Sequence, residues 1–287
     1  MKHTLFFIVI LAMACQLNEG SDSQQSSTSR EDERTSSGIQ IHDDTTLHFS
    51  FRGQPYPVYI GYPKDSIRGS ILLLHGYDLP PLQWCKETDF CTKALQRGYA
   101  LVIPDLKKTN YSLSVYPQTI QQYRHYPTLP WIRDSLLKGA EKLSGLLSKE
   151  AINFVAGIST GARGAGLLAY YEPDRFTACA SLSVDFDITK MSDSFLYQGW
   201  FGDFQTYPER WKNECIAYKC KYYQVPTYIA HGCKDKVSPV SQSLMMYDSL
   251  SKYVYCRSRF PENAGHDYDF WGSESSAILD FFDQQVN

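Results

Sequence analysis

Three residues whose types together can perform nucleophilic catalysis occur in this chain: Ser159, Asp235 and His266. Ser159 is the centre of a Gly-x-Ser-x-Gly motif at residues 157–161, which ends an apolar run and precedes a series of small residues. A sharp strand–turn–helix junction of this kind exposes one hydroxyl, and its two glycines avoid clashes with neighbouring backbone. A serine hydroxyl also needs a base within hydrogen-bond reach and a third group that orients the base. The motif alone is weak evidence, because glycine and serine collect in ordinary turns.

The elements that must position these residues alternate along the chain from about residue 40. After an opening hairpin at 47–51 and 56–62, apolar runs predict strands at 69–74, 99–104, 151–157, 176–184, 224–231 and 253–260. Helices are predicted at 89–97, 129–148, 159–171, 241–250 and 273–285. Continuous apolar strands that alternate with helices favour an α/β fold with a mostly parallel central sheet and helices on both faces.

Ser159, Asp235 and His266 each follow a predicted strand. Those strands are 151–157, 224–231 and 253–260, respectively. Reactive groups of open parallel sheets gather outside the carboxyl ends of the strands. We therefore expect the three side chains to meet at one edge of the sheet.

With these residues in this order, the chain resembles the α/β-hydrolase superfamily, on its esterase and dienelactone-hydrolase side. The resemblance covers about residue 45 to the C-terminus. It rests on Leu74-His75-Gly76, Gly157-x-Ser159-x-Gly161, His231-Gly232-x-x-Asp235-x-x-Ser238-Pro239 and Gly265-His266-Asp267. The resemblance implies that Ser159 is the nucleophile, that His266 is the general base and later acid, and that Asp235 orients His266.

The same resemblance implies an oxyanion hole built from backbone N–H groups. Thr160, directly after the nucleophile, supplies one donor. Tyr77 after His75-Gly76 supplies the other, with Asp78 as the alternative. We expect His75 itself to brace its loop.

Other residues could replace parts of this triad. Asp185 and Asp187 follow the preceding strand and are alternative acids, while His231 is an alternative base. Asp267 is adjacent to His266, but adjacency in sequence does not bring a carboxylate against the imidazole ring.

An aromatic-rich insertion at about residues 187–223 separates two of the predicted strands. Aromatic residues at this density either pack the insertion onto the body or form a cap that lines a substrate pocket. Trp200 and Trp211 of the insertion, together with Trp84 and Tyr111, are the predicted substrate-binding residues.

The N-terminus has the pattern of a targeting segment, with a basic start, an apolar run at residues 4–11 and small residues at 12–14. Residues 1–14 are interpreted either as a secretory signal peptide or as a bacterial lipoprotein-type signal that leaves Cys15 as an acylated first residue. We favour the lipoprotein, because residues 15–40 are almost all polar and read as a flexible tether. Either interpretation places the domain at 41–287 outside the cytoplasm, in the periplasm, at the cell surface or secreted.

Export also permits disulfides. The chain has eight cysteines, and apart from Cys15 the candidate pairs are Cys85/Cys91, Cys215/Cys220 and Cys233/Cys256. Cys179 lies in an apolar run and is expected to be a buried free thiol. No cysteine or histidine pair has the spacing of zinc ligands, so no metal is predicted.

Composition excludes several classes of partner. The net charge of −3 gives no basic surface for nucleic acid, and no apolar run reaches the roughly 18 residues of a membrane-spanning helix. The sequence thus predicts an exported serine hydrolase without a cofactor, attached to a membrane only through a lipid. It would cleave a carboxylic ester of a small molecule or polysaccharide through an acyl-enzyme. A peptidase or acyltransferase with the same triad, and a non-catalytic binding lipoprotein, are the alternatives, and the oligomeric state is left open.

Overall fold

A mixed sheet of eight strands forms the centre of residues 46–286, the part of the chain that the computed structural model describes. The strands are β1 (Thr46–Phe51), β2 (Gln54–Gly61), β3 (Gly69–Leu74), β4 (Tyr99–Pro104), β5 (Asn153–Ile158), β6 (Ala178–Leu182), β7 (Thr227–Ala230) and β8 (Cys256–Arg259). Their order is β1-β2-β4-β3-β5-β6-β7-β8. The hairpin β1–β2 and the β2–β4 pair are antiparallel, and the other pairs are parallel.

The strand order creates one switch point, since β3 lies between β4 and β5. The chain leaves β3 toward one edge of the sheet and later returns on its other side to build β5 through β8. Ligands of open α/β sheets bind at such a point, outside the carboxyl ends of the strands. The loop after β3 and the turn after β5 meet there, and the second carries Ser159.

Ten α-helices connect the strands within the described residues. They are α1 (Gln83–Glu87), α2 (Phe90–Gln96), α3 (Leu129–Trp131), α4 (Lys138–Ser144), α5 (Thr160–Tyr171), α6 (Phe195–Phe201), α7 (Pro208–Glu214), α8 (Ser241–Leu250), α9 (Tyr268–Ser273) and α10 (Ser275–Gln284).

The observed helices differ from the predicted ones at two places. The predicted helix 129–148 is interrupted by a π-helical segment, Ile132–Leu137, and ends at Gly145, whose φ of +72° is the left-handed conformation that stops helices. The predicted helix 273–285 corresponds to α10, and an unpredicted helix, α9, precedes it. The Asp267 carboxylate caps α9 by accepting from the Phe270 N–H at 2.8 Å.

Two apolar cores cover the two faces of the sheet. The strands β3, β4 and β5 are buried along their whole length. Alternate residues enter opposite cores, so that Leu72 and Val155 pack on one face while Leu73 and Phe154 pack on the other. This arrangement confirms the predicted sheet with helices on both faces.

The insertion forms a cap with its own apolar core. Tyr197, Trp200, Phe201 and Trp211 are buried together within it. A fully buried ion pair joins the cap to α5, because Arg163 Nη2 lies 2.8 Å from Glu214 Oε2 at the end of α7. All of the described residues belong to one compact unit.

One of the three predicted disulfides is present. Cys85 and Cys91 are bonded, and the other cysteines of the described part are free thiols, with Cys179 buried as predicted. The prediction of a Cys215/Cys220 disulfide is wrong, because Cys215 packs into the cap core and Cys220 into a core of the body.

The predicted Cys233/Cys256 disulfide is also absent. Cys233 follows the carboxyl end of β7, whereas Cys256 begins β8 and pairs in register with Thr227 at the start of β7. The two thiols therefore lie at opposite ends of neighbouring parallel strands.

The predicted signal peptide at 1–14, the tether at 15–40 and the acylated Cys15 lie outside the described residues. Within those residues, no helix has the length and apolar character needed to cross a bilayer.

Candidate active site

Ser159 occupies a strained turn between β5 and α5. Its φ of +55° and ψ of −125° are rare for a residue with a side chain. The flanking glycines make the turn possible, since a Cβ on Gly157 would lie 2.1 Å from the Gly161 carbonyl oxygen. A Cβ on Gly161 would lie 2.3 Å from the Leu74 carbonyl oxygen. Both glycines of the motif are thus required sterically, and the turn presents the Ser159 hydroxyl at the switch point.

His266 lies between Ser159 and Asp235 and contacts both. Its Nε2 is 3.0 Å from Ser159 Oγ, and its Nδ1 is 2.6 Å from Asp235 Oδ2. The loops that carry Asp235 and His266 pack closely, because a Cβ on Gly232 would lie 2.4 Å from the Ala264 carbonyl oxygen. A neutral His266 with its proton on Nδ1 donates to Asp235 and accepts the Ser159 hydroxyl proton at Nε2.

Asp235 is surrounded by hydrogen-bond donors. The backbone N–H groups of Val237 and Ser238 donate to Oδ1 at 2.8 and 2.9 Å, while His266 and His231 donate to Oδ2. Burial opposes ionisation of the carboxyl, but the bonds from the two histidines and from Ser238 outweigh it and hold the pKa of Asp235 well below its usual value. Asp235 is therefore a fixed anion behind His266.

His231 is a second imidazole that bonds to this anion. Its Nε2 lies 3.0 Å from Asp235 Oδ2 and 3.0 Å from the Ser238 carbonyl oxygen, both acceptors, so Nε2 carries the proton. Its Nδ1 then accepts from the Ser243 hydroxyl at 2.8 Å. With both nitrogens bound elsewhere, His231 is not placed to act as the alternative base.

The two alternative acids have other contacts. Asp187 begins a short 3₁₀ helix and accepts from the Thr189 N–H at 3.1 Å. Asp185 accepts from the hydroxyls of Ser238 and Tyr197. Neither carboxylate bonds to His266.

The loop after β3 passes beside Ser159, because a Cβ on Gly76 would lie 3.1 Å from Ser159 Cβ. The Gly76 carbonyl accepts from His75 Nδ1 at 2.7 Å and from the Leu79 N–H at 3.2 Å, so the N–H of Tyr77, trans to that carbonyl, points the opposite way. The Asp78 N–H donates to the Lys107 carbonyl at 3.2 Å and is not available for an oxyanion. Thr160 is the first residue of α5, and its N–H therefore has no intrahelical acceptor.

His75 fixes that loop. Its Nε2 accepts from the Leu106 N–H at 2.9 Å, which leaves the proton on Nδ1 for the Gly76 carbonyl. Burial lowers the pKa of His75 and so favours this neutral tautomer. Tyr111 adds a bond of 3.0 Å from its hydroxyl to the His75 carbonyl.

A cleft of about 550 Å³ opens over Ser159 and His266. Its lining from the body of the protein is Tyr77, Leu79, Ser159, Thr160, Asp185, Val237, His266, Asp267, Tyr268 and Trp271, and from the cap Met191, Ser194, Leu196 and Tyr197. Trp271 contacts the edge of the His266 ring with centroids 5.1 Å apart and donates to Ser183 Oγ at 3.2 Å. The cleft thus has one mainly apolar cap wall and a wall that carries the reactive groups.

The four predicted substrate-binding residues do not line this cleft, so their predicted role is wrong. Trp84 stacks on Phe90 in a core of the body, and Tyr111 packs against α5 behind the oxyanion loop. Trp200 and Trp211 form the cap core. Aromatic density indicated a cap, but it could not tell which rings face inward.

Four residues of the cleft lining are not among the predicted substrate-binding residues: Asp185, Tyr197, Tyr268 and Trp271. The position of Asp185 directly after a predicted strand could have indicated a place in the cleft, but it led only to its prediction as an alternative acid of the triad. Tyr268 and Trp271 are three residues apart on α9, and the N-cap residue Asp267 is the sequence signal that places this helix directly after His266.

Comparisons with known proteins bear on the fold of this chain. No protein-family model matches the chain, and no curated protein matches it either. Among solved structures, a fluorophosphonate-binding serine hydrolase of Staphylococcus aureus with bound substrate is 20% identical over 84% of this chain and 97% of its own, with a TM-score of 0.65. An S-formylglutathione hydrolase of Agrobacterium tumefaciens is 12% identical over 84% of this chain and 95% of its own, with a TM-score of 0.70. A ferulic acid esterase is 16% identical over 84% of this chain and 98% of its own, with a TM-score of 0.64. Together with the strand order, these similarities show that the chain has the α/β-hydrolase fold.

Proposed function

We propose that this protein is a serine hydrolase that cleaves carboxylic esters through Ser159, His266 and Asp235. The observation that carries the proposal is the position of His266, 3.0 Å from the Ser159 hydroxyl and 2.6 Å from the Asp235 carboxylate. Nucleophile, base and orienting group are thus in hydrogen-bond contact at a strained turn that exposes the nucleophile.

In the first half of the reaction, Ser159 Oγ attacks the ester carbonyl carbon and its proton moves to His266 Nε2. The carbonyl oxygen becomes an oxyanion that accepts from the N–H groups of Tyr77 and Thr160. Asp235 stabilises the imidazolium. The tetrahedral intermediate then expels the alcohol, which takes the proton from His266 Nε2 and leaves an acyl-Ser159 ester.

The second half repeats these steps with water as the nucleophile. Water loses a proton to His266 Nε2 and attacks the acyl carbon, and the oxyanion again accepts from the two N–H groups. When the Ser159–acyl bond breaks, Ser159 Oγ recovers the proton from His266. The products are the carboxylic acid, the alcohol and the unchanged enzyme.

Two considerations favour an ester over an amide. The compared ferulic acid esterase has this fold over nearly all of its length. An alcohol is also a better leaving group than an amine, so a triad of this geometry hydrolyses activated esters whether or not it can cleave amides. Activated esters are therefore the first substrates to test.

The test is turnover of p-nitrophenyl butyrate together with labelling by a fluorophosphonate probe. We expect wild-type protein to hydrolyse the ester and to be labelled at one residue, while Ser159→Ala loses both activities, with a fall in kcat of about 10⁶-fold. Thr189→Ala is a matched control, because this hydroxyl lies in the cap outside the cleft lining. A folded wild-type protein that the probe does not label would contradict the proposal and favour the binding-module alternative.

We also propose that the protein is exported and anchored through an acylated Cys15. The support is the sequence alone, with a targeting pattern at residues 1–14 and a polar segment at 15–40. Mass spectrometry of the mature N-terminus tests this. A diacylglyceryl group on Cys15 is expected, and a free Cys15 at the N-terminus would indicate a secreted protein.

A further inference from the structure

We propose that the cleft beside Ser159 selects esters that carry a positive charge, and that Asp185 is the residue that recognises this charge. The proposal rests on the proposed function, because it concerns the substrate of the same cleft. It adds the chemical class of that substrate.

The first observation is the charge of the cleft lining. Two carboxylates, Asp185 and Asp267, line the cleft, and its lining among the described residues contains no lysine or arginine. Lys190 and Lys236 directly precede the lining residues Met191 and Val237 but are not themselves part of the wall. A concave site lined by one sign of charge concentrates ligands of the opposite sign.

The second observation is that no cationic side chain in the described part of the chain bonds to the Asp185 carboxylate. It accepts hydrogen bonds from the hydroxyls of Ser238 and Tyr197, which are neutral donors. Glu214, the carboxylate buried under the cap, is paired with Arg163 instead. Burial raises the pKa of Asp185 and so disfavours its negative charge. A cation on the substrate would supply the counter-charge that the protein does not provide.

The third observation is the aromatic content of the cleft lining. Tyr77, Tyr197, Tyr268 and Trp271 line the cleft with Asp185. Aromatic faces attract ammonium groups, including quaternary ones that donate no hydrogen bond. Leu79, Met191 and Leu196 provide apolar surface for the remainder of the ester. Carboxylate, aromatic rings and apolar surface together fit a substrate with an ammonium group on an aliphatic chain.

Two substrate series test the proposal, because the charge could lie on either side of the ester bond. The acyl series compares p-nitrophenyl butyrate with its 4-trimethylammonio derivative and with mono-p-nitrophenyl glutarate, which is anionic. The alcohol series compares butyrylcholine with its neutral isostere 3,3-dimethylbutyl butyrate. We expect the cation to exceed the neutral ester in kcat/KM by about 10-fold or more in at least one series, equal to about 1.4 kcal/mol.

Asp185→Asn is expected to lower the ratio of kcat/KM for the cationic ester over that for the neutral ester to about 1, because the amide keeps the size of the side chain but lacks its charge. Asp193→Asn is the matched control, since Asp193 is an exposed cap residue outside the cleft lining and its substitution changes the net charge by the same amount. A loss of preference in both variants would mean that only the overall charge matters, and it would overturn the assignment to Asp185.

A measurement on wild-type protein covers the case in which Asp185→Asn does not fold. Tetramethylammonium is expected to inhibit hydrolysis of p-nitrophenyl butyrate competitively, and sodium at equal concentration is not. No inhibition, together with equal turnover of charged and neutral esters, would overturn the proposal. Hydrolysis of neutral esters that still depends on Ser159 would show that the proposed function stands and that only the cation preference fails.

Discussion

The loops after β6 and β7 each bring one carboxyl group to the same edge of the sheet, but the surroundings of the two groups shift their pKa values in opposite directions. Asp235 after β7 receives four N–H donors, two of them from histidines. Asp185 after β6 receives two hydroxyls and faces the cleft. The pKa of Asp235 is lowered, and that of Asp185 is raised. The comparison teaches that a position after a strand does not assign a carboxyl group its role, and that the donors around it do.

The largest expected effect separates the two groups by their contribution to ester hydrolysis. Asp235→Asn is expected to lower kcat for p-nitrophenyl butyrate by about 10⁴-fold, because an amide no longer stabilises the His266 imidazolium and favours the wrong tautomer. Asp185→Asn is expected to lower it by less than about 3-fold. Steady-state kinetics at pH 7.5 checks both, and comparable losses would remove the distinction between the loops.

The second prediction concerns stability against pH, where the two groups should act with opposite sign. A lowered folded-state pKa means that Asp235 stabilises the fold above its ordinary pKa of about 3.9, and that this contribution is lost as the pH falls through the folded value. A raised pKa means that the contribution of Asp185 is complete below about 3.9 and is lost as the pH rises through the folded value.

Urea unfolding between pH 3 and pH 7 measures these contributions. The difference in free energy of unfolding between wild type and Asp235→Asn should grow from pH 3 to pH 5. The difference between wild type and Asp185→Asn should shrink, or reverse, over the same range. Parallel curves for the two variants would contradict the opposite pKa shifts.

A smaller effect is expected from His231, which we assign as a positioning residue for Asp235. His231→Leu should lower kcat by roughly 10-fold with KM unchanged, since a hydrogen bond to a charged group contributes about 1.5 kcal/mol and 1.36 kcal/mol is tenfold in rate. His231→Gln should restore most of the rate, because its amide N–H occupies the place of Nε2. In an Asp235→Asn background, His231→Leu should lower kcat little further. If the two substitutions instead reduce kcat independently, His231 acts only through folding.

The smallest expected effect lies on the cap side of Asp185. Tyr197→Phe removes one of the two hydroxyls that bond to this carboxylate. We expect a change of about 2- to 5-fold in kcat/KM for cationic esters, because the Ser238 hydroxyl still bonds to the carboxylate and only part of its hydrogen bonding is lost. Neutral esters should not change. An equal change for neutral esters would place the effect in cap packing rather than in recognition.

The sequence predicts correctly the positions of those residues that backbone geometry fixes. Gly157 and Gly161 can be recognised because no other residue fits a turn in which a Cβ would overlap a carbonyl oxygen. Asp235 and His266 can be placed because parallel strands end at one edge of the sheet. These are local or topological constraints, and a single sequence contains them.

The wrong predictions concern which way a side chain faces. Trp200 and Trp211 belong to the cap as expected, but they pack inside it, while Tyr197 reaches the cleft. Cys215 and Cys220 are close in sequence, but they enter different cores. Tertiary packing decides on which side of a short element each side chain is buried. Residue composition does not contain that information.

The ion pair between Arg163 and Glu214 sets a condition for engineering this protein. Arg163 lies one turn after Ser159 on α5, and Glu214 belongs to the cap, so the two charges are buried on separate segments. Transplanting a cap from another protein of this fold would leave one charge alone, and an unpaired buried charge destabilises a protein by about 3–5 kcal/mol. A chimera should therefore exchange residues 188–222 with Glu214 retained, or replace Arg163 by an apolar residue in the same step.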